Sequence, residues 1–190
     1  MLDDLSMHLT TIPVLHRVLT VDASRGQSIK TAFGLAVGLS VFVVYHVLTD
    51  ELLIHSTLFV VSVAIIGWRT AQLINVRTRA DSIARRRIWG IVRFGALIFN
   101  VGFWVWLIDG WTCGFLRDTR HAIGLPWAFF LELHGWWHIF TAIGAYVFID
   151  VVDCLISSDD PEAETFAWPA SWAGDFFFAG SKKAEARKNV

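Results

Sequence analysis

Polar and apolar positions along this chain separate into long blocks rather than a short repeat. Uncharged stretches run from Thr31 to Leu48 and from Leu52 to Trp68, and near-continuous apolar ones from Ile88 to Ile108 and from Ala122 to Ile149. Each is close to the ~17–25 residues that a transmembrane helix requires. A weaker segment, Leu5 to Leu19, is interrupted by His8, Pro13, His16 and Arg17. One such stretch alone reads as a buried core helix; four in succession predict an all-α, polytopic transmembrane protein of about five helices.

Composition agrees: 55% of the residues are hydrophobic and 17% charged, with ten Trp and fifteen Phe, and the mean hydropathy is +0.52. A net charge of −1 gives no reason to expect a nucleic-acid partner. Two cysteines, Cys113 and Cys154, support neither a disulfide framework nor a cysteine-based zinc site. The opening Met1-Leu2-Asp3-Asp4 is acidic where a signal peptide is basic, so insertion is expected to use the helices themselves.

The arginines set an orientation. Between the second and third long stretches, Arg69, Arg77, Arg79, Arg85, Arg86, Arg87 and Arg93 stand against the single acid Asp81, which by the positive-inside rule makes this loop cytosolic. Stepping through the stretches puts Arg17, Arg25 and Lys30 on the cytosolic side and Asp50-Glu51 on the other. The third long stretch then leaves the membrane near Asp109, and the last helix returns from Pro126. Asp3, Asp109, His134 and His138 thereby fall in the non-cytosolic half. After Ile149 an acidic stretch (Asp150, Asp153, Asp159, Asp160, Glu162, Glu164) leads to Trp168-Pro169 and Phe176-Phe177-Phe178. These aromatics either lie at the membrane surface or pack on cytosolic helix ends. The expected division is therefore a membrane domain over 1–154 and a cytosolic tail over 155–190. The final Arg187-Lys188-Asn189-Val190 is similar to a di-basic retrieval signal of the endoplasmic reticulum, although a charged terminus explains it equally well.

The candidate chemistry lies in Leu133-His134-Gly135-Trp136-Trp137-His138-Ile139-Phe140. On a helix, residues i and i+4 share a face with Cβ atoms roughly 5–6 Å apart, so two imidazoles can converge on one ion. Ionisable groups in hydrocarbon are costly and usually mark an interior site. The alternative is a pair of histidines bonded to neighbouring helices. Gly135 follows the first histidine where a zincin has glutamate, so a catalytic acid has to come from another helix. Gly135 either admits a close neighbour or an acyl chain, or serves helix packing. Trp136 and Trp137 line a lipid-shaped cavity or pack, and Asp109 either orients a ligand histidine or pairs with Arg117 or Arg120.

The run Leu133 to Thr141 with Gly144 resembles the last-helix signature of the alkaline ceramidases, the fungal type in particular. Gly102-Phe103, Trp106, Ile108-Asp109 and Cys113 are similar to the family's penultimate helix, Leu2-Asp3-Asp4-Leu5-Ser6-Met7 to its third, and Ile54-His55 to a further position. The resemblance implies a seven-helix intramembrane zinc amidase of the endoplasmic reticulum or Golgi that cleaves ceramide or phytoceramide to a sphingoid base and a fatty acid. His134 and His138 would be two of three zinc ligands, Asp3 the acid beside the attacking water, Asp109 the acceptor behind a ligand, and Trp136, Trp137 and Phe59 the contacts to substrate. The third ligand and an accompanying serine fall before Met1, so the chain is expected to be truncated by two helices and part of a third. His55 is the best local substitute; His8 lies five residues after Asp3 and points elsewhere, and His16 sits near the cytosolic end. Phe59 stands where the family has a tyrosine, which puts oxyanion stabilisation there in doubt. Calcium regulation is not legible in these residues. Two other classes compete: an inactive truncated helical protein acting as scaffold or lipid binder, and a haem-binding electron carrier, which the i+4 spacing disfavours.

Overall fold

The computed structural model describes residues 2–49, 52–158, 161 and 165–174, without the side chains of residues 2–4 and 52. These residues are helical wherever they are regular, and no strand occurs among them. Helices α1 (Leu2–Leu19), α2 (Arg25–Thr49), α3 (Leu52–Arg77), α4 (Ile83–Ile123) and α5 (Leu133–Ser157) follow one another, with a 3-10 helix (Trp127–Leu131) before α5. The expected all-α class and the five helices are both found. Four of the five, α2 to α5, are long and apolar enough to cross a membrane; the chain is a multi-pass membrane protein. Two compact units divide it, Met1–Arg77 and Thr78–Val190.

In the first unit, α1 packs chiefly on α3 and less on α2. Its buried positions His8, Thr11, Leu15 and Val18 recur at steps of three and four, one stripe of a helix. Pro13 falls between them and α1 continues through it. From α3, Ile66, Thr70, Leu73 and Ile74 are buried, and Thr70 satisfies its hydroxyl by donating to the Ile66 carbonyl at 2.8 Å. The start of α2 is closed by a reciprocal cap: the Gln27 amide donates to Ser24 Oγ at 3.3 Å, and the Ser24 amide donates to Gln27 Oε1 at 3.1 Å. Beyond that cap α2 is apolar on all sides and leaves Phe33, Val41 and Leu48 exposed, the pattern of a helix solvated by lipid.

The second unit is built on α4 against α5. Ile88, Ile91, Gly95 and Gly102 are buried on α4, and Trp137, Gly144, Val147 and Val151 on α5. Glycines set the distance: a Cβ on Gly144 would lie 2.8 Å from Phe99 Cβ and 3.0 Å from the Gly95 carbonyl oxygen, and one on Gly95 would lie 2.9 Å from Val147 Cγ1. Backbones approach this closely in membranes because dispersion, rather than the hydrophobic effect, holds the helices together. Ser82 caps α4, accepting from the Arg85 amide at 3.0 Å. Residues 165–174 pack on the start of α4, with Phe166, Ala170 and Ala173 buried, Gly174 against Arg87 and Ile91, and Trp172 edge-on to Phe94 at 5.7 Å. Trp168 is exposed. Phe176, Phe177 and Phe178 lie outside the described residues, as do Asp159, Asp160, Glu162, Glu164 and the di-basic end.

One boundary differs from the sequence expectation, and one helix outruns its apolar stretch. Helix α4 continues past Asp109 and runs unbroken to Ile123, about 61 Å in all, because neither proline nor a helix-ending glycine interrupts it before Gly124. Gly124 adopts a positive φ of 64°, and its amide donates to the Arg120 carbonyl at 3.0 Å, ending the helix. The last helix correspondingly starts at Leu133 rather than at Pro126, because Pro126 lacks an amide proton and the next five residues wind as a 3-10 turn instead.

Candidate functional site

Since α5 starts at Leu133, His134 occupies its first turn and His138 its second. Their rings are 4.9 Å apart between centroids and nearly perpendicular, so the i+4 spacing does place them one above the other. Both residues lie at the exposed rim of the α4–α5 interface. Trp137, between them in sequence, turns inward: it is buried, its ring 4.3 Å from His138 and 5.2 Å from His134, and it packs at 6.2 Å on Trp106 of α4. Trp136, one residue and about 100° away on the helix, belongs to another group. It stacks on Phe130 at 6.4 Å and Phe140 at 6.2 Å and meets Phe129 edge-on at 5.7 Å.

Asp109 reaches the pair from the middle of α4. Its Oδ2 lies 3.8 Å from His134 Nδ1, with 20% of the Asp109 side chain and 52% of the His134 side chain exposed. That separation is within ion-pair reach and too long for a hydrogen bond. Of the partners weighed for Asp109, the arginines are engaged elsewhere: Arg120 with Glu132 and Arg117 with Asp118 at 3.7 Å. Thr141 locks the turn below His138, donating to the Trp137 carbonyl at 2.7 Å. Gly135 has room around it, since a Cβ there would meet nothing within 4 Å; packing on α4 does not explain this glycine.

The remaining predicted residues belong to the first unit. Asp3 is in the first turn of α1, and its side chain lies outside what is described. Phe59 stands edge-on to His8 at 6.1 Å. His16 sits beside α2, its Nε2 3.1 Å from the Ser28 carbonyl oxygen. His8 is turned inward onto α3, where its Nε2 lies 3.1 Å from His55 Nδ1. His46, which the sequence did not single out, joins them with its ring 5.4 Å from that of His55. Its signal was available: it is the one histidine in the uncharged run of α2 and stands four after Phe42, on which it stacks at 5.6 Å.

Among the described residues no three His, Cys, Asp or Glu side chains are already disposed to hold one metal ion. The α5 pair supplies two imidazole donors on one helical face with a carboxylate behind one of them, a donor set that suits zinc.

A sequence profile described as Ceramidase matches residues 1–177. The chain is 34% identical over 119 residues to alkaline ceramidase YPC1 of Saccharomyces cerevisiae, covering 61% of this chain and 37% of that protein. It is also 36% identical over 52 residues to alkaline ceramidase 3 of Mus musculus, covering 27% of this chain and 20% of that one. No solved structure matches. With well under two thirds of each relative's length matched, but the profile spanning the whole of α1 to α5, the chain belongs to the ceramidase family.

Proposed function

We propose that the chain carries ceramide amidohydrolase chemistry in the membrane, with His134 and His138 as zinc ligands and Asp3 as the proton-transferring acid. The observation that supports it most is the perpendicular imidazole pair on α5 backed by Asp109, in a chain of a family whose named relatives are alkaline ceramidases. When bound, zinc supplies a Lewis acid for the amide carbonyl and lowers the pKa of water to about 7. Asp109, within ion-pair reach of His134 Nδ1, faces that nitrogen with negative charge and leaves the other nitrogen of the ring to ligate. Asp3 accepts a proton from the attacking water and delivers it to the departing nitrogen, so that one C–O bond forms, the amide C–N bond breaks, and a fatty acid and a sphingoid base leave. Trp136, with the exposed Trp127, Phe129 and Phe130 beside it, offers an apolar surface to the lipid chains. Trp137 holds the two ligand turns apart from the interior. Phe59 supplies contact area but no phenol.

The arginines of the segment 69–93 favour a cytosolic loop, which puts the C-terminal segment in the cytosol and the α5 histidines toward the lumen of the endoplasmic reticulum or Golgi. The test is turnover of a short-chain fluorescent ceramide by the purified chain in detergent, with zinc measured on the same sample. Release of the fatty acid that stops in His138→Ala supports the reading. Bound zinc without turnover favours instead the non-catalytic scaffold or lipid binder, and absence of zinc ends the proposal for the α5 pair.

A further inference from the structure

Residues 165–174 lie across the start of α4 with two unlike faces. Bonds from the Ser171 amide to the Ala167 carbonyl at 2.9 Å and from the Ala173 amide to the Pro169 carbonyl at 3.0 Å wind the segment helically. Phe166, Ala170 and Ala173 are buried, whereas Trp168 and Trp172, four residues apart, are 74% and 51% exposed. Gly174 packs on Arg87 and Ile91 and Trp172 meets Phe94, so the segment covers the α4 stripe of positions 87, 91 and 94. Arg86 and Arg93 stand one residue before Arg87 and Phe94, on the neighbouring stripe, and both are exposed. We propose that Arg86 and Arg93, with Trp168 and Trp172 beside them, form a surface that binds the headgroups of anionic phospholipids.

Depth supports this occupant. From Phe94 to Leu116 α4 carries neither lysine nor arginine, about 35 Å of helix, and the hydrocarbon core of a bilayer is ~30 Å thick. Arg93 and Arg117 therefore bracket the membrane, and Trp172, packed on Phe94, lies at the level of Arg93. Tryptophan is favoured at that level, where its ring meets acyl chains and its N–H meets headgroups. Charge supports it independently. Arg79, Arg85, Arg86, Arg87 and Arg93 stand against the single acid Asp81 between 78 and 93, and clusters of about four to eight basic residues beside a membrane helix suit anionic lipid. Among the described residues Arg93 has neither an acid nor a hydrogen-bond acceptor as partner. A guanidinium open at the headgroup level takes a phosphate with two parallel N–H donors. A zwitterionic headgroup offers the same phosphate but cancels its charge, so the surface selects lipid of net negative charge.

This surface is separate from the α5 histidines, so either result leaves the zinc reading as it stands. The chain, purified in a neutral detergent, is titrated with short-chain phosphatidylserine or phosphatidylcholine, and bound lipid is counted by native mass spectrometry. Phosphatidylserine is expected to bind more tightly than phosphatidylcholine, and less tightly as salt rises, since exposed charges are screened. Arg86→Gln and Arg93→Gln should each weaken phosphatidylserine about fivefold, the increment of one basic residue at an anionic surface, and leave phosphatidylcholine unchanged. Arg93→Lys should keep most of the affinity. Trp168→Ala should weaken both lipids alike, because its ring contributes without regard to charge. Equal affinity for the two lipids, or unchanged phosphatidylserine binding in the double glutamine variant, overturns the proposal. Displacement of the lipid by inorganic phosphate at the same concentration overturns it too, by making the surface a site for free anions. Circular dichroism checks helix content in each variant. If the double variant unfolds, the salt titration of the wild type decides in its place, and retention independent of salt overturns the proposal.

Discussion

Asp109 Oδ2 and His134 Nδ1 lie 3.8 Å apart across the α4–α5 interface. A carboxylate in that position biases the imidazole toward one tautomer and one ring orientation, and such partners are worth ~10–100-fold in metal affinity. Asp109→Asn is accordingly expected to weaken zinc binding by about that factor in a chelator competition. Unchanged affinity would reduce Asp109 to a polar residue that happens to face α5.

Asp3 is assigned to proton transfer and not to ligation. Asp3→Asn should therefore retain its zinc while turnover falls by ~10²–10⁴. Loss of the metal together with turnover would make Asp3 a ligand instead.

Gly144 and Gly135 are on the same helix and should respond in opposite directions. A Cβ on Gly144 runs into Phe99 and the Gly95 backbone, so Gly144→Ala is expected to cost about 1–3 kcal/mol by overpacking. A Cβ on Gly135 meets nothing within 4 Å, so Gly135→Ala should hold or raise the unfolding temperature, as replacing a helical glycine gains roughly 0.5–1 kcal/mol. Thermal unfolding in detergent compares them directly, and a destabilised Gly135→Ala would reveal a surface that packs on α5 there.

The adjacent tryptophans are separable in the same way. Trp137 is 6% exposed and packs on Trp106, so Trp137→Ala should lose about 3–5 kcal/mol of stability. Trp136 is half-buried among Phe129, Phe130 and Phe140. Its alanine variant should unfold close to the wild type and raise KM for a long-chain ceramide more than it lowers kcat. Equal effects on kcat and stability would place Trp136 in the packing and not at the substrate.

Zinc removal tests the whole assignment at once. Dialysis against a chelator should abolish turnover and zinc readdition restore it, since a catalytic metal supplies the nucleophile and the Lewis acid together. Turnover that survives chelation would mean the α5 histidines serve another purpose.

The sequence by itself determined the helical class, the four membrane-crossing stretches and the stacking of His134 over His138, because these depend on hydrocarbon thickness and on a period of 3.6 residues, both local quantities. It also carried the family, through the ordered motifs from Leu2 to Gly144. Where α4 stops is also a local matter, set by Gly124 with Pro126 after it, although the apolar stretch alone ends earlier, at Asp109. Only packing chose His134 for Asp109 over two nearby arginines, and sent Trp137 inward while Trp136 faced other aromatics. His8, His46 and His55 are 38 and 9 residues apart in succession along the chain, and no period links them. Their meeting depends on three helices packing side by side, which residue spacing within one helix does not encode.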